Sequence, residues 1–329
     1  PSKRCAAWLA ALGMLAGRAT AQQARERTYS SAEDFAQGFA INLEVASARD
    51  DRVQLARSPQ PLPFIHIACS ARGTVVRVDV ESGAVLGEYA TAPEGMARNP
   101  SRTTVDRLGN VWVCNRDENG RLDGEQRGSV ARIGLVIGGT RGTKDPRSGA
   151  FRPDVRGEYL KGPFRYSTCV DRDGDGLIRT SFGLGCVLAW SNADGVDSAG
   201  GVASADDECI VDYTRVAGAN ARTLAIDANN DVWVGGWSDQ DHEKLDGVSG
   251  RPIAGTLFNF GCGGYGGFVD GNGVLWSARG GTGLLRYDTR SGTGVSLGNE
   301  CGDYGLALDP VTGNVWHTSL YGGTVGVLS

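Results

Sequence analysis

Histidine and methionine are scarce in this chain of 329 residues, which contains 3 His and 2 Met. Three imidazoles are too few for a His-rich metalloenzyme, because such sites usually take several His ligands each. Lysine and arginine form no clusters, and the formal net charge is −5. Because nucleic acids and anionic membrane surfaces are bound through basic patches, neither is an expected partner.

Long hydrophobic runs are also lacking. The longest extends from Cys5 to Gly17, shorter than the roughly 20 residues that span a bilayer. Lys3 and Arg4 precede this run, and Ala19-Thr20-Ala21 follows it. A basic start, a short apolar run and small residues at the end predict a signal peptide over residues 1–21 and a secreted, extracellular or periplasmic protein. A buried amphipathic helix is the alternative.

No Cys-x-x-Cys pair occurs, which argues against a zinc ribbon or a thioredoxin-type site. Seven cysteines follow the signal segment, and in an oxidising compartment we expect three disulfides and one remaining thiol. The candidates are Cys69, Cys114, Cys169, Cys186, Cys209, Cys262 and Cys301.

Glycine, in contrast, is abundant, and four segments of the chain repeat one pattern. Each has a short apolar strand, a turn that starts with Asp and is rich in Asn and Gly, and a second strand that ends near Trp. Such turns favour hairpins, because Asn and Gly accept a positive φ. The last three Trp follow one another at about 40 residues, a period typical of propeller blades. The four segments are 102–112, 222–233, 267–276 and 305–316.

Two further units fit with distortion, beginning near residues 60 and 163. In the second of these, residues 165–171 are expected to form the first strand, followed by a longer turn and a strand at 177–181. The sequence therefore predicts an all-β fold, a β-propeller of about six blades over residues 60–329, with seven blades as an alternative. Residues 22–59 form a short N-terminal extension. Within it, a strand near Ile41–Val45 is expected to complete the last blade, because an open blade edge would leave backbone groups unpaired.

These Asp-turn-Trp repeats resemble the secreted streptogramin lyase-like and NHL-type propellers, whose blades carry a similar hairpin. The resemblance covers about residues 60–329 and implies the propeller fold. It assigns no chemistry, because such propellers include lyases, lactonases and pure binding scaffolds.

An acidic loop carries the clearest chemical motif. Asp171, Asp173 and Asp175 occupy positions 1, 3 and 5 of a calcium-type loop, Gly176 allows the bend at position 6, and Leu177 can offer its carbonyl at position 7. Position 12 is Phe182 instead of a bidentate Glu, which excludes a helix–loop–helix EF-hand. We therefore predict a Ca²⁺ site in a loop between two strands, with a solvated acidic turn as the alternative.

The ligands missing from this loop are expected from the acidic run that contains Asp207 and Glu208. A disulfide from the adjacent Cys209 to Cys169 or Cys186 would hold that run close to the loop. Cys69 and Cys114 are a second candidate pair, since they occupy equivalent second-strand positions.

A duplicated motif precedes two of the first strands. It reads Cys-Gly-Gly-Tyr-Gly at 262–266 and Cys-Gly-Asp-Tyr-Gly at 301–305. We expect both copies beside the central channel, where a Cys262–Cys301 disulfide can form. Tyr265 and Tyr304 either line a ligand site there or simply pack against the channel.

Three functional hypotheses remain. The first, which we favour, is a secreted Ca²⁺-stabilised scaffold that binds another protein or an extracellular polysaccharide. The second is a lyase or lactonase that uses a divalent metal and His317 on an exposed rim. The third is a structural protein whose incomplete last blade joins a neighbouring subunit in an oligomer or filament.

Overall fold

The computed structural model describes residues 62–116, 127–280, 283–298, 304–319 and 323–329, together with strands β1 (Leu43–Val45) and β2 (Val53–Leu55). The fold is all-β, as predicted. Two single 3₁₀ turns, Ser70–Arg72 and Ala193–Gly195, are the helical segments of this part of the chain. Within it, no helix has the length and apolar character needed to cross a bilayer.

The first two propeller sheets are antiparallel and follow the repeat. The first has three strands, β3 (Phe64–Cys69), β4 (Thr74–Asp79) and β5 (Val85–Ala90). The second begins with β6 (Pro100–Val105), β7 (Val111–Asn115) and β8 (Ser129–Ile133). Successive side chains along its strands point alternately into the cores on either side of the sheet. Strands β7 and β8 are therefore buried along their whole length.

A further sheet is inserted before the second propeller sheet is complete. It consists of β9 (Val136–Lys144), β10 (Phe151–Pro153), β11 (Tyr159–Ser167) and β12 (Leu177–Arg179), in the order β10-β9-β11-β12. Only then does β13 (Ile210–Arg215) return and pair with β8 as the fourth strand of the second sheet.

Three more propeller sheets follow. The third contains β14 (Ala221–Ile226), β15 (Val232–Gly236), β16 (Asp241–Leu245) and β17 (Phe258–Asn259). The fourth contains β18 (Gly266–Val269), β19 (Val274–Ala278), β20 (Leu284–Asp288) and β21 (Thr293–Leu297). The fifth has three described strands, β22 (Leu306–Leu308), β23 (Val315–Thr318) and β24 (Val325–Leu328).

The first strands of the five propeller sheets lie side by side. Strand β3 contacts β6, β6 contacts β14, β14 contacts β18, and β18 contacts β22. Separate hydrophobic cores fill the spaces between successive sheets, such as the one that joins Trp112 of the second sheet to Leu245 of the third. First strands gathered along one line, with cores between radiating sheets, are the arrangement of a β-propeller.

The repeated Asp has a physical reason. In the second sheet one Asp106 oxygen accepts the backbone amides of Leu108 and Asn110, each at 2.9 Å. The other oxygen accepts the indole N–H of Trp112 at 3.0 Å. Asp270 binds the indole of Trp276 at the same distance. One carboxylate therefore both closes the turn and satisfies a buried indole on the next strand, which explains the spacing between Asp and Trp.

Six sheets of three or four strands are present in the described residues, as many as the predicted blades, but the inserted sheet differs from the repeat. The segment Arg165–Asp171 was expected to be a first strand paired with Leu177–Ser181. Instead β11 ends at Ser167, and Leu177 pairs opposite Lys161. This sheet is an insertion, and its strands are not among the first strands that lie side by side.

The strand expected near Ile41–Val45 is present as β1, and it pairs with β2 in a two-stranded sheet. Among the described residues it forms no pairing with the last sheet, and its role in closing the ring stays a prediction. The predicted signal peptide, residues 1–21, lies outside the described residues.

The disulfide prediction is confirmed for one pair, Cys169–Cys209. The predicted Cys69–Cys114 bridge is wrong: both residues are free thiols, and so is Cys186. The premise of equivalent positions fails, because Cys69 ends β3, the first strand of its sheet, whereas Cys114 lies on β7, the second strand of the next sheet. The predicted Cys262–Cys301 bridge is wrong as well, because Cys262 is a buried free thiol; Cys301 itself lies outside the described residues.

Candidate metal centre

Three carboxylates converge where the inserted region meets strand β13. Asp171, Asp173 and Glu208 each offer an oxygen, and these oxygens lie within 4.8 Å of one another. Two come from the predicted loop and the third from the acidic run next to Cys209, as the sequence suggested. The cluster can bind a metal ion, because paired carboxylate oxygens are the ligands that hard divalent cations prefer.

Backbone amides give the loop its shape. The two oxygens of Asp171 accept the amides of Gly174, at 2.8 Å, and Gly176, at 2.9 Å. Both glycines have a positive φ, 73° and 80°, which a residue with a Cβ rarely adopts. The chain therefore curls around the Asp171 carboxylate, and Asp173 is carried to the exposed side of the cluster.

Glu208 forms the buried side of the cluster. One of its oxygens accepts the amide of Arg172 at 2.6 Å and the other accepts the amide of Arg179 at 2.7 Å. Burial raises the pKa of this carboxyl, and the nearby Asp173 charge raises it further, while the two amides oppose the shift. A bound cation would offset both unfavourable effects.

The disulfide joins the two segments that supply these ligands. Cys169 lies just before the loop and Cys209 just after Glu208, and the backbone amide of Val170 donates to the carbonyl of Glu208 at 3.0 Å. The Arg172 guanidinium packs beneath them and donates to the carbonyls of Ala205, Asp207 and Ile210.

Two of the predicted ligands are engaged elsewhere. Asp175 lies 2.5 Å from the Lys144 ammonium. Partial burial alone would raise its pKa, but the bond from Lys144 keeps that pKa below the usual value. Asp207 is fully enclosed and accepts the amides of Ser181 and Cys209, each at 3.0 Å. Neither belongs to the cluster of three.

Leu177 is the remaining predicted ligand. It begins strand β12 opposite Lys161, and its amide donates to Asp175 at 2.8 Å. The role of its carbonyl toward a metal stays a prediction. Lys144 and Arg172, which sequence reasoning did not single out, turn out to shape the loop; no local pattern marks Lys144, which comes from another strand.

The three His side chains are engaged in packing or hydrogen bonding within the fold. His66 accepts from the Arg77 guanidinium, and burial together with this cation lowers its pKa to about 3. His242 is completely buried. His317, expected on an exposed rim, is instead only 7 % exposed and packs over Gly326. An imidazole enclosed in this way is poorly placed to take a proton from a substrate.

Comparison with known proteins gives structural similarity without close sequence relatives. No family model matches the chain, and no curated protein matches it significantly. Among solved structures, it is similar to a catalytically inactive virginiamycin B lyase from Staphylococcus aureus with quinupristin, at 13 % identity and a TM-score of 0.43, covering 85 % of this chain and 71 % of that one.

Two other solved structures are similar to a comparable degree. One is a gluconolactonase from Xanthomonas campestris, with 15 % identity, a TM-score of 0.39 and 78 % and 65 % of the two chains covered. The other is BamB from Moraxella catarrhalis, with 15 % identity, a TM-score of 0.34 and 84 % and 69 % covered. Streptogramin lyases are thus among both the similar structures and the group that the repeats resemble, but at these scores the similarities carry no argument about activity.

Proposed function

We propose that this protein is a Ca²⁺-stabilised propeller scaffold that works outside the reducing cytoplasm. The observation that carries the proposal is the convergence of Asp171, Asp173 and Glu208 within 4.8 Å. They come from two segments that a disulfide ties together. In this view the cation fastens the inserted region to the second propeller sheet, and the propeller presents its surface to a protein or polysaccharide partner.

The ligand chemistry favours Ca²⁺ over other metals. Zn²⁺ prefers His and Cys ligands, and this cluster has neither. Mg²⁺ requires a nearly regular octahedron, whereas Ca²⁺ accepts irregular sets of about 6–8 oxygens, including carbonyls and water. The exposed position of Asp173 leaves room for such water ligands.

Two features support the location. The Cys169–Cys209 disulfide is typical of proteins that fold in an oxidising compartment. The sequence of residues 1–21 has the layout of a secretion signal.

Thermal unfolding of the full chain tests the cation site. After treatment with a chelator, added Ca²⁺ should raise the melting temperature, because a ligand at 100 times its Kd stabilises the folded state by about 2.7 kcal/mol. The double variant Asp171→Asn/Asp173→Asn should lose this response. Asp288→Asn, which removes a half-buried turn carboxylate of the fourth propeller sheet, is the matched control and should keep it. A melting temperature that does not change when Ca²⁺ is added would refute the proposal.

Self-assembly is a second candidate, favoured by exposed apolar side chains at the two ends of the sheet series. Ile65 and Ile67 lie on one face of β3 and are each about half exposed. Val325 and Val327 lie on one face of β24, with Trp316 directly opposite Val327 on β23, and all three are also exposed. Inside the molecule such faces are covered by the next sheet, so the last sheet of one copy is suited to pack on the first sheet of another.

A further inference from the structure

A second candidate site lies between the first strands, away from the acidic cluster. A cavity of about 310 Å³ opens between β6, β14, β18 and the residues that lead into β22. Its lining includes Arg102, Arg222, Gly266, Tyr304 and Gly305. These residues all stand at the beginning of their strands, so the cavity lies at the end opposite the Asp-turn-Trp hairpins. Its size is at the small end of ligand pockets, which cover roughly 300–1,000 Å³.

Aromatic rings hold two of the arginines in place. The guanidinium groups of Arg102 and Arg222 lie 5.0 and 4.5 Å from the centre of the Tyr265 ring. Arg222 also lies 4.8 Å from the centre of the Trp237 ring. Cation–π contacts of this kind fix a flat guanidinium without neutralising it. The positive charges are thus positioned in advance, and tyrosines help to hold them, since Arg222 shares a hydrogen bond with Tyr265 and Arg102 shares one with Tyr304.

The two charged side chains that line the cavity are both arginines. Burial lowers the pKa of Arg222, and although Tyr265 opposes that shift, the neighbouring cations Arg116 and Arg102 add to it. Between the residues that the structure describes, no ion pair joins any of these three arginines to a carboxylate. The buried Nε atoms of Arg116 and Arg222 have no hydrogen-bond partner there either. Bringing like charges together while some of their N–H groups lack a hydrogen-bond acceptor is unfavourable, and a bound anion would relieve both effects.

The space in front of Arg102 is kept open by a glycine. A Cβ atom built on Gly266 would meet a single neighbour, Nε of Arg102, at the ordinary contact distance of 3.8 Å. Its φ is not in the left-handed region, so neither backbone conformation nor crowding requires glycine here. A side chain at this position would project toward Arg102 and take up part of the cavity.

We propose that this cavity binds a small oxyanion through Arg102 and Arg222, either the carboxylate of an acidic sugar or a phosphate group. Both present negative oxygens to a guanidinium, which donates two parallel N–H bonds to such groups. The hydroxyl of Tyr304, which accepts a hydrogen bond from Tyr265, borders the same space and adds a polar contact. The inference deepens the proposed scaffold function, since it gives the chemistry of what the scaffold would bind.

Isothermal titration of the full chain with D-glucuronate, D-glucose and inorganic phosphate tests this. We expect saturable binding of glucuronate or phosphate, and none of glucose, which has the same ring without the charge. Binding of glucuronate alone identifies an acidic sugar as the source of the oxyanion, and binding of phosphate alone identifies a phosphate group. Arg222→Gln should weaken the binding at least tenfold. Gly266→Leu should also weaken it, although it leaves every charge in place.

Arg286→Gln is the matched control, because Arg286 also stacks on an aromatic ring, Trp276, but lies outside the cavity. It should bind as the unaltered protein does, and circular dichroism shows whether each variant is folded. The inference would be overturned if neither anion bound measurably, or if Arg222→Gln and Gly266→Leu bound the anion as tightly as the unaltered protein does. Each titration is done both without and with Ca²⁺. Failure of the cation site can then be distinguished from failure of the oxyanion site.

Discussion

His242 shows at the scale of one residue how the fold fixes a protonation state. The ring is completely buried and stacks on Phe258, with 5.1 Å between the ring centres. Its nitrogens lie 2.9 Å from the carbonyl of Gln240 and 3.1 Å from the hydroxyl of Ser277. Burial lowers its pKa from 6.5 to about 4. The neutral imidazole is therefore part of the packing between the third and fourth propeller sheets.

This predicts a contribution to acid sensitivity. Below pH 6.5 the unfolded chain takes up a proton that the folded imidazole does not accept until about pH 4, so stability falls as the pH falls through that window. The loss attributable to this group is about 3 kcal/mol, because one pKa unit corresponds to about 1.4 kcal/mol. Urea unfolding at pH 7 and pH 4.5 should show a smaller difference in His242→Gln than in the unaltered protein. An unchanged difference would contradict the assignment.

The sequence predicted those parts of the candidate metal centre whose geometry is decided by residues close together in the chain. The alternation of Asp171 and Asp173 and the acidic run beside Cys209 led to the residues that converge. Asp175 fits the same alternation, yet its partner is Lys144, which stands 31 residues earlier on a different strand. No spacing within the loop can indicate a partner that only the folded sheet supplies.

At the scale of one element, the Asp-turn-Trp hairpin is stabilised by a single carboxylate. Asp106 is buried and satisfies Trp112, whereas Asp309 lies in an exposed turn and Trp316 is exposed. Asp106→Ala should lower the free energy of unfolding by about 2–3 kcal/mol, because it leaves a buried indole donor and two turn amides without their acceptor. Asp309→Ala should lower it much less. Urea unfolding of both variants measures the difference, and equal losses would contradict this account.

The disulfide is the second element whose contribution can be measured. Cys169 and Cys209 are separated by 40 residues. Closing a loop of that length restricts the unfolded chain by an amount worth about 4 kcal/mol in the chain-entropy model. Cys169→Ser/Cys209→Ser should be destabilised by up to this amount and should require more Ca²⁺ for the same rise in melting temperature. Cys114→Ser, a change at a buried free thiol, is the control and should leave the Ca²⁺ response unaltered.

The elements that sequence predicted well are those formed by adjacent residues. Hairpins such as β18–β19 are closed by a local turn, so their pattern is visible in a single stretch. The partner of β8 is β13, far along the chain, and the segment between them carries apolar stretches that look like another blade. Pairing over such a distance is decided by packing, which explains why the inserted sheet was taken for a repeat of the common pattern.

At the scale of the whole molecule, the exposed faces of the first and last sheets predict association between copies. Sedimentation velocity over a hundredfold range of concentration should show species larger than one chain at the upper end. Val325→Glu/Val327→Glu should shift the protein to the single chain, because a charge on this face opposes burial. Val311→Glu, at an exposed turn, is the control. A single chain at every concentration would exclude self-assembly.

The late return of β13 also sets an order of events during synthesis. A ribosome releases the chain from its N-terminal end, so the three strands β6, β7 and β8 are available well before the fourth. Until the segment 134–209 has emerged, the outer side of β8 has no neighbour to bond with, and a chaperone or another nascent chain can reach it. Truncating or stalling translation shortly after Ile133 should therefore produce an intermediate that binds a chaperone or another nascent chain. A stall after Arg215 should not.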